Sequence, residues 1–127
     1  MSKSNENNPQ VNSVYLGSMT TDATVVPVMH MPKKSYIKSV KLLNGAGISA
    51  DNSNYATLTL KKGSTTVATL DTRAANEGAV TANVAKAFSI VSGQETQDAL
   101  SDLTLTYNET GTMALTNAQL VIESYPL

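Results

Sequence analysis

The stretch NYATLTLKKGSTTVATL, residues 54–70, does most to limit what this chain can fold into. Ala56, Leu58 and Leu60 alternate with Tyr55, Thr57, Thr59 and Lys61, the period of two that a half-buried strand requires. Lys62-Gly63-Ser64 interrupts the alternation with turn residues before it resumes, so the segment reads as a β-hairpin with one apolar and one polar face.

The same signal recurs along the chain. Residues 11–17 form a short candidate strand with Val14 and Leu16 on one face, and residues 23–31 a stronger one through Val25, Val26, Val28 and Met29. Pro27 has no N–H for a ladder, which places that strand at a sheet edge or gives it a bulge. Residues 36–43 alternate Tyr36, Lys38, Val40 and Leu42 against Ile37, Ser39, Lys41 and Leu43, with Val40 and Leu42 marking the apolar face. NGAGISADNSN, residues 44–54, reads as an exposed connection with left-handed backbone at Gly45 or Gly47. TRAANEGAVTANV, residues 72–84, lacks an apolar stripe and contains Gly78, so it reads as a long loop with room for one helical turn. Strand character returns at residues 85–91 through Phe88 and Ile90. It appears again at residues 103–108, ahead of a glycine turn at 109–112, and at residues 118–125, where Leu120 and Ile122 share a face.

Seven to nine short strands separated by turns, with no strongly periodic helix, predict an all-β, two-layer antiparallel β-sandwich. A jelly-roll topology is the first expectation and an immunoglobulin-like Greek key the second, because the Cys, Trp, Cys core signature of the latter is missing. The 127 residues suit one domain. The expected division is a flexible, asparagine-rich N-terminal arm over residues 1–10 and a single β-sandwich domain over residues 11–127.

Composition narrows the function classes. With no cysteine, stability must come from core packing or from oligomerisation rather than disulfides, and thiolate chemistry and cysteine-held zinc are excluded. Charged residues are 15% of the chain and the formal net charge is −1, so the surface is nearly neutral and rich in threonine, serine and asparagine. Lys33, Lys34, Lys38 and Lys41 are the one local basic cluster, which is too little for a phosphate-neutralising stripe, and no nucleic-acid partner is expected. No apolar run reaches membrane-helix length and the first ten residues lack a signal-peptide core; a soluble protein without a membrane partner is expected.

No segment carries a catalytic signature, so no catalytic residue, cofactor site or metal site is predicted. His30 is the only histidine and lies between two methionines without a nucleophile elbow nearby; a packed or solvent-facing strand residue is the plainer reading. Asp51-Asn52-Ser53-Asn54 has alternating oxygen ligands but lacks the glycine and the downstream glutamate of a calcium loop, and reads as a turn held by side-chain-to-backbone hydrogen bonds. Nothing in the spacing of Asp71, Glu77, Glu95, Asp98, Asp102, Glu109 and Glu123 selects a glycosidase pair. Tyr15, Tyr36, Tyr55, Tyr107 and Tyr125 are scattered over five expected strands, a thin supply for a sugar-binding platform.

YIKSVKLLNGAGISADNSNYATLTLKKGSTTVATLDT and the later LSDLTLTYNETGTMALTNAQLVIESYP, taken together, resemble small virion proteins of tailed bacteriophages, in particular capsid decoration or head-associated proteins. The resemblance is one of texture: an asparagine-glycine loop, a threonine-leucine hairpin, an alanine-threonine loop and a closing hairpin that ends in an aliphatic strand. It implies a non-enzymatic structural protein that binds the major capsid protein of an assembled shell and stabilises it, as a homo-oligomer and preferentially a trimer. It further implies a location on the capsid exterior after synthesis in the host bacterial cytoplasm. The alternative is a carbohydrate-binding or host-attachment module of a fibre or tail. Val25, Val28, Met29 and Met31 are the candidate capsid-facing or intersubunit residues, with the core as the competing place for all four.

Overall fold

A computed structural model describes residues 9–21 and 24–127; most of the expected arm, residues 1–8, lies outside the described residues. The described residues form ten strands: β1 (Gln10–Met19), β2 (Thr24–Met31), β3 (Ser35–Leu43), β4 (Tyr55–Lys62), β5 (Thr65–Asp71), β6 (Lys86–Ala87), β7 (Ser89–Ile90), β8 (Thr96–Gln97), β9 (Ser101–Thr110) and β10 (Leu115–Pro126). One antiparallel sheet has the order β1-β10-β3-β6, with β8 pairing the other end of β3, and the second has the order β2-β9-β4-β5-β7. Apart from the β4–β5 hairpin, every connection passes from one sheet to the other. Interleaved in this way, β1-β10-β3-β6 facing β2-β9-β4-β5 is a jelly roll.

The alternation read from the sequence supplies the core. Leu58, Leu60, Leu70, Leu103, Leu105 and Tyr107 of the second sheet are fully buried, as are Ile37, Leu42, Leu115, Leu120 and Ile122 of the first. Side chains of this size are each worth about 2 kcal/mol on burial, so the two inner faces hold the sheets together without a disulfide.

Besides two register shifts between β1 and β10, at Tyr15/Gly17 and Gly17/Met19, three bulges re-aim side chains that strict alternation would misplace. Pro27 sits on an edge strand, and the register with β9 also shifts between Pro27 and Met29, so both outcomes expected of this proline occur. A shift opposite Lys38, where Ser39 pairs Glu123 and Ile37 pairs Ser124, brings Ile37 inward beside Val40 and Leu42 and turns Tyr36 outward. Between Leu60 and Lys61 the partner strand gains Val67, which is buried beside Ala68.

Two local expectations are corrected. The left-handed glycines are Gly17, Gly63, Gly78, Gly93 and Gly111, not Gly45 or Gly47. Gly45 serves close approach instead: a Cβ there would lie 3.0 Å from the Thr116 carbonyl oxygen, to which its own N–H donates at 2.7 Å. Residues 85–91 are not one strand; β6 belongs to the first sheet and β7 to the second, and Phe88 crosses between them, buried, with its N–H donating to Val40 O at 2.8 Å.

The registers define two ends. One carries Gln10, residues 32–34, the Gly63 turn, residues 91–100 and Pro126; the other carries residues 44–54, 72–85 and 111–114.

Candidate functional site

At the end that carries Gln10 and Pro126, the edge strands β1 and β2 of the two sheets diverge and leave a cavity of about 390 Å³. Met29, Met31 and Pro32 give it apolar walls, Gln10, Val11 and Asn12 come from β1, and Ser35, Ser124 and Pro126 close it from the first sheet. Asn12 Nδ2 reaches Val28 O at 3.5 Å, a long contact that links the two edges. Of the four residues expected to face a capsid or neighbour, Val25 is 59% exposed and Met29 half-buried. Val28 and Met31 are core residues of the single chain: Val28 follows Val26 on the inner face, and the register shift after Pro27 brings Met31 inward opposite buried Ser101.

The more exposed apolar groups here are ones the sequence reading passed over. Leu100 is 71% exposed, Val11 61% and Leu127 51%. Leu100 has φ +66° and donates its N–H to Met31 O at 2.6 Å, which sets it beside the cavity wall. Leu127 N–H donates to Lys34 O at 2.9 Å on the opposite side of residues 32–34. A left-handed leucine costs on the order of 1–2 kcal/mol, and this one gains little burial within the chain in return. An isolated leucine between polar residues gives no periodic signal, so its exposure was not legible from sequence.

His30 and Lys33 also line this cavity, and His30 Nδ1 lies 2.6 Å from Asp102 Oδ1, with side chains 52% and 78% exposed. The pair ties β2 to β9 directly across the register. For acyl transfer, such a pair needs a serine at the far ring nitrogen. The cavity's serines, Ser35 and Ser124, are buried, and Ser35 Oγ donates to Lys33 O at 2.9 Å.

The carboxylates singled out in the sequence are spread through the fold, and several have local partners. Asp71 is buried and accepts from Arg73 Nη2 at 2.5 Å and Arg73 Nε at 3.1 Å, while the guanidinium stacks 4.3 Å from the centre of the Tyr55 ring. The Arg73 hydrogen bond holds the Asp71 carboxyl below its ordinary value against the opposing effect of burial. Glu77 accepts from Asp71 N at 2.6 Å and from Ser89 Oγ at 2.7 Å, and Glu123 accepts from Ser39 Oγ at 2.6 Å. Asp51 Oδ1 accepts from Ser53 N and Asn54 N at 2.7 and 3.2 Å, the turn expected of that segment. Among the described residues, no three of the His, Asp and Glu side chains gather as metal ligands.

No protein-family model matches the chain, and no curated protein matches it. Among solved structures, it is similar to one described as the capsid asymmetric unit of cyanophage Pam1, with 15% identity and a TM-score of 0.52 over 94% of this chain and 86% of that one. A second similarity, to infectious bursal disease virus VP2 in a subviral particle, has 11% identity and a TM-score of 0.43, and spans 92% of this chain and 33% of the other. At these identities the likeness is one of fold: the two-sheet sandwich is an architecture also found in viral capsids.

Proposed function

We propose that this chain is a structural virion protein of a tailed bacteriophage, a capsid decoration protein that binds the major capsid protein on the outside of the shell and stabilises it. The observation that carries this reading is the end-to-end fold match to a chain of a cyanophage capsid, which spans nearly all of both chains and so relates two small domains of similar length. The exposed apolar groups at this end agree with it: Val11 lines the open cavity, Leu100 and Leu127 are exposed on the chain segments tied by backbone hydrogen bonds to Met31 and Lys34, and Leu100 holds a strained backbone while its side chain faces solvent. Strain of that kind is retained where a partner uses the geometry.

Burying Leu100 against a shell subunit contributes about 2 kcal/mol, a modest gain for one copy. Assembly as a trimer joins three such ends, and simultaneous engagement raises the apparent affinity by about two to four orders of magnitude. Attachment of this kind needs no reaction chemistry, and we read the His30–Asp102 pair as an edge clasp rather than a catalytic dyad.

The test is to mix purified protein with phage shells made without it, measure co-sedimentation, and locate the added density by electron cryomicroscopy. Saturable binding in symmetric clusters on the shell is expected. A Val11→Asp, Leu100→Asp variant should lose binding while keeping its thermal unfolding midpoint within a few degrees. A protein that is absent from purified particles, or a double variant that binds shells as well as the wild type, would overturn the reading.

A further inference from the structure

Four of the five tyrosines are accounted for within the fold. Tyr107 is buried and its hydroxyl donates to Met113 O at 3.2 Å, Tyr36 and Tyr125 stack at 5.2 Å, and Tyr55 lies under Arg73. Tyr15 is different: it is 64% exposed on the outer face of β1, at the end opposite the proposed shell-binding cavity. The ring is nevertheless held. Its hydroxyl is 3.1 Å from Asn117 Oδ1, and its edge lies over Gly17, where a Cβ would meet Cε2 at 3.5 Å. One face of the ring therefore stays open in a fixed orientation.

Beside it is a cavity of about 240 Å³ lined by Leu43, Asn44, Gly45, Asn83, Asn117 and Gln119, with no charged residue among them. Gln119 lies directly opposite Tyr15 in the β1–β10 register, and Leu43 directly opposite Gln119 in the β10–β3 register. Asn44 is the buried foundation: its Oδ1 accepts from Thr116 N at 2.8 Å, its Nδ2 donates to Ala46 O at 2.8 Å, and its carbonyl accepts from Asn83 N at 2.8 Å. Asn83 and Asn117 both hold left-handed backbone, with φ of 61° and 45°, so their positions are fixed by the loops. The carboxamides of Asn83 and Gln119 have no hydrogen-bond partner among the described residues, although each offers two donors and an acceptor.

We propose that Tyr15, Asn83, Asn117 and Gln119 form a binding site for a neutral saccharide. An open aromatic face matches the C–H face of a pyranose, and carboxamides that both donate and accept match adjacent hydroxyls, whereas the uncharged lining gives no counter-charge for an anion or cation. The pocket accommodates a single sugar unit, with the tyrosine as its lip. A shell-attached domain would present this end away from the shell, but the site stands on its own geometry and does not rest on the decoration reading.

The test is a titration of ¹⁵N-labelled protein, followed by NMR, with glucose, galactose, mannose and N-acetylglucosamine in one arm and a purified neutral bacterial surface polysaccharide in the other. The side-chain amide signals of Asn83, Asn117 and Gln119 should shift together in at least one arm; response to the polymer alone identifies a surface glycan, and response to a monosaccharide identifies a free-sugar site. Tyr15→Ala should weaken binding by about tenfold or more, and Tyr15→Phe, which keeps the ring and loses its tether to Asn117, by less. Both variants should still co-sediment with shells as the wild type does, which separates this site from the opposite end. Amide signals that stay fixed at millimolar sugar and saturating polysaccharide, shifts confined to other residues, or undiminished binding by Tyr15→Ala would each overturn the proposal.

Discussion

At the scale of single residues, Asp71 and Leu100 show local chemistry set against stability in opposite ways. Asp71 is an ionised group inside the fold, and the Arg73 fork, the largest cause of its lowered pKa, keeps it charged. Its folded value lies below the ordinary 3.8 expected of the unfolded chain, so its contribution is complete above that pH and is lost as the pH falls through the folded value. Asp71→Asn should therefore cost about 1 kcal/mol at neutral pH, with the gap to wild type closing in strong acid, as urea unfolding at a series of pH values would show. Leu100 is the converse case. Leu100→Gly relieves the left-handed strain, so the isolated domain should be at least as stable as wild type while shell binding falls. Calorimetry beside co-sedimentation checks this, and a clear drop in stability would show that the side chain serves the fold after all. Neither role was legible in the sequence, because each depends on what a loop places next to the residue.

At the scale of elements, alternation identified the long strands reliably where both neighbours were also strands, as for Ala56, Leu58 and Leu60 in β4 and Leu103 and Leu105 in β9. It failed at bulges, because one extra residue reverses the faces of everything beyond it; this is why Ile37 and Met31 lie in the core. It also failed at residues 86–90, where the chain spends two residues in each sheet, too few to establish a period. Phe88 anchors that crossing from one sheet to the other. Phe88→Ala should cost about 3–5 kcal/mol by chemical denaturation, and hydrogen exchange should show β6 and β7 losing protection before β9 and β10. Met29 and Met31, neighbours in the same strand, should separate in the same way: Met31→Asp should abolish folding because its side chain is fully buried, and Met29→Asp should leave a folded domain.

At the scale of the whole molecule, the two ends of the sandwich differ in chemistry. One end exposes Val11, Leu100 and Leu127 beside a cavity of mixed lining, which suits a protein surface, while the pocket beside Tyr15 at the other is lined without charge by Asn83, Asn117 and Gln119, which suits a hydroxylated ligand. Because nearly every connection crosses between sheets, native pairings join residues far apart in sequence, and folding should take milliseconds to seconds in a stopped-flow experiment. Refolding in microseconds would contradict the interleaved topology. The sequence by itself determined that this is a two-layer β protein, which leucines of the unbulged strands β4 and β9 face inward, and where the major turns fall, since these follow from side-chain period and turn chemistry within a few residues. The tertiary structure alone decided the strand order, the bulges and the make-up of the two ends: each joins residues tens of positions apart, such as Tyr15 with Asn117 or Leu100 with Met31, and no local pattern encodes which distant segment will become a neighbour.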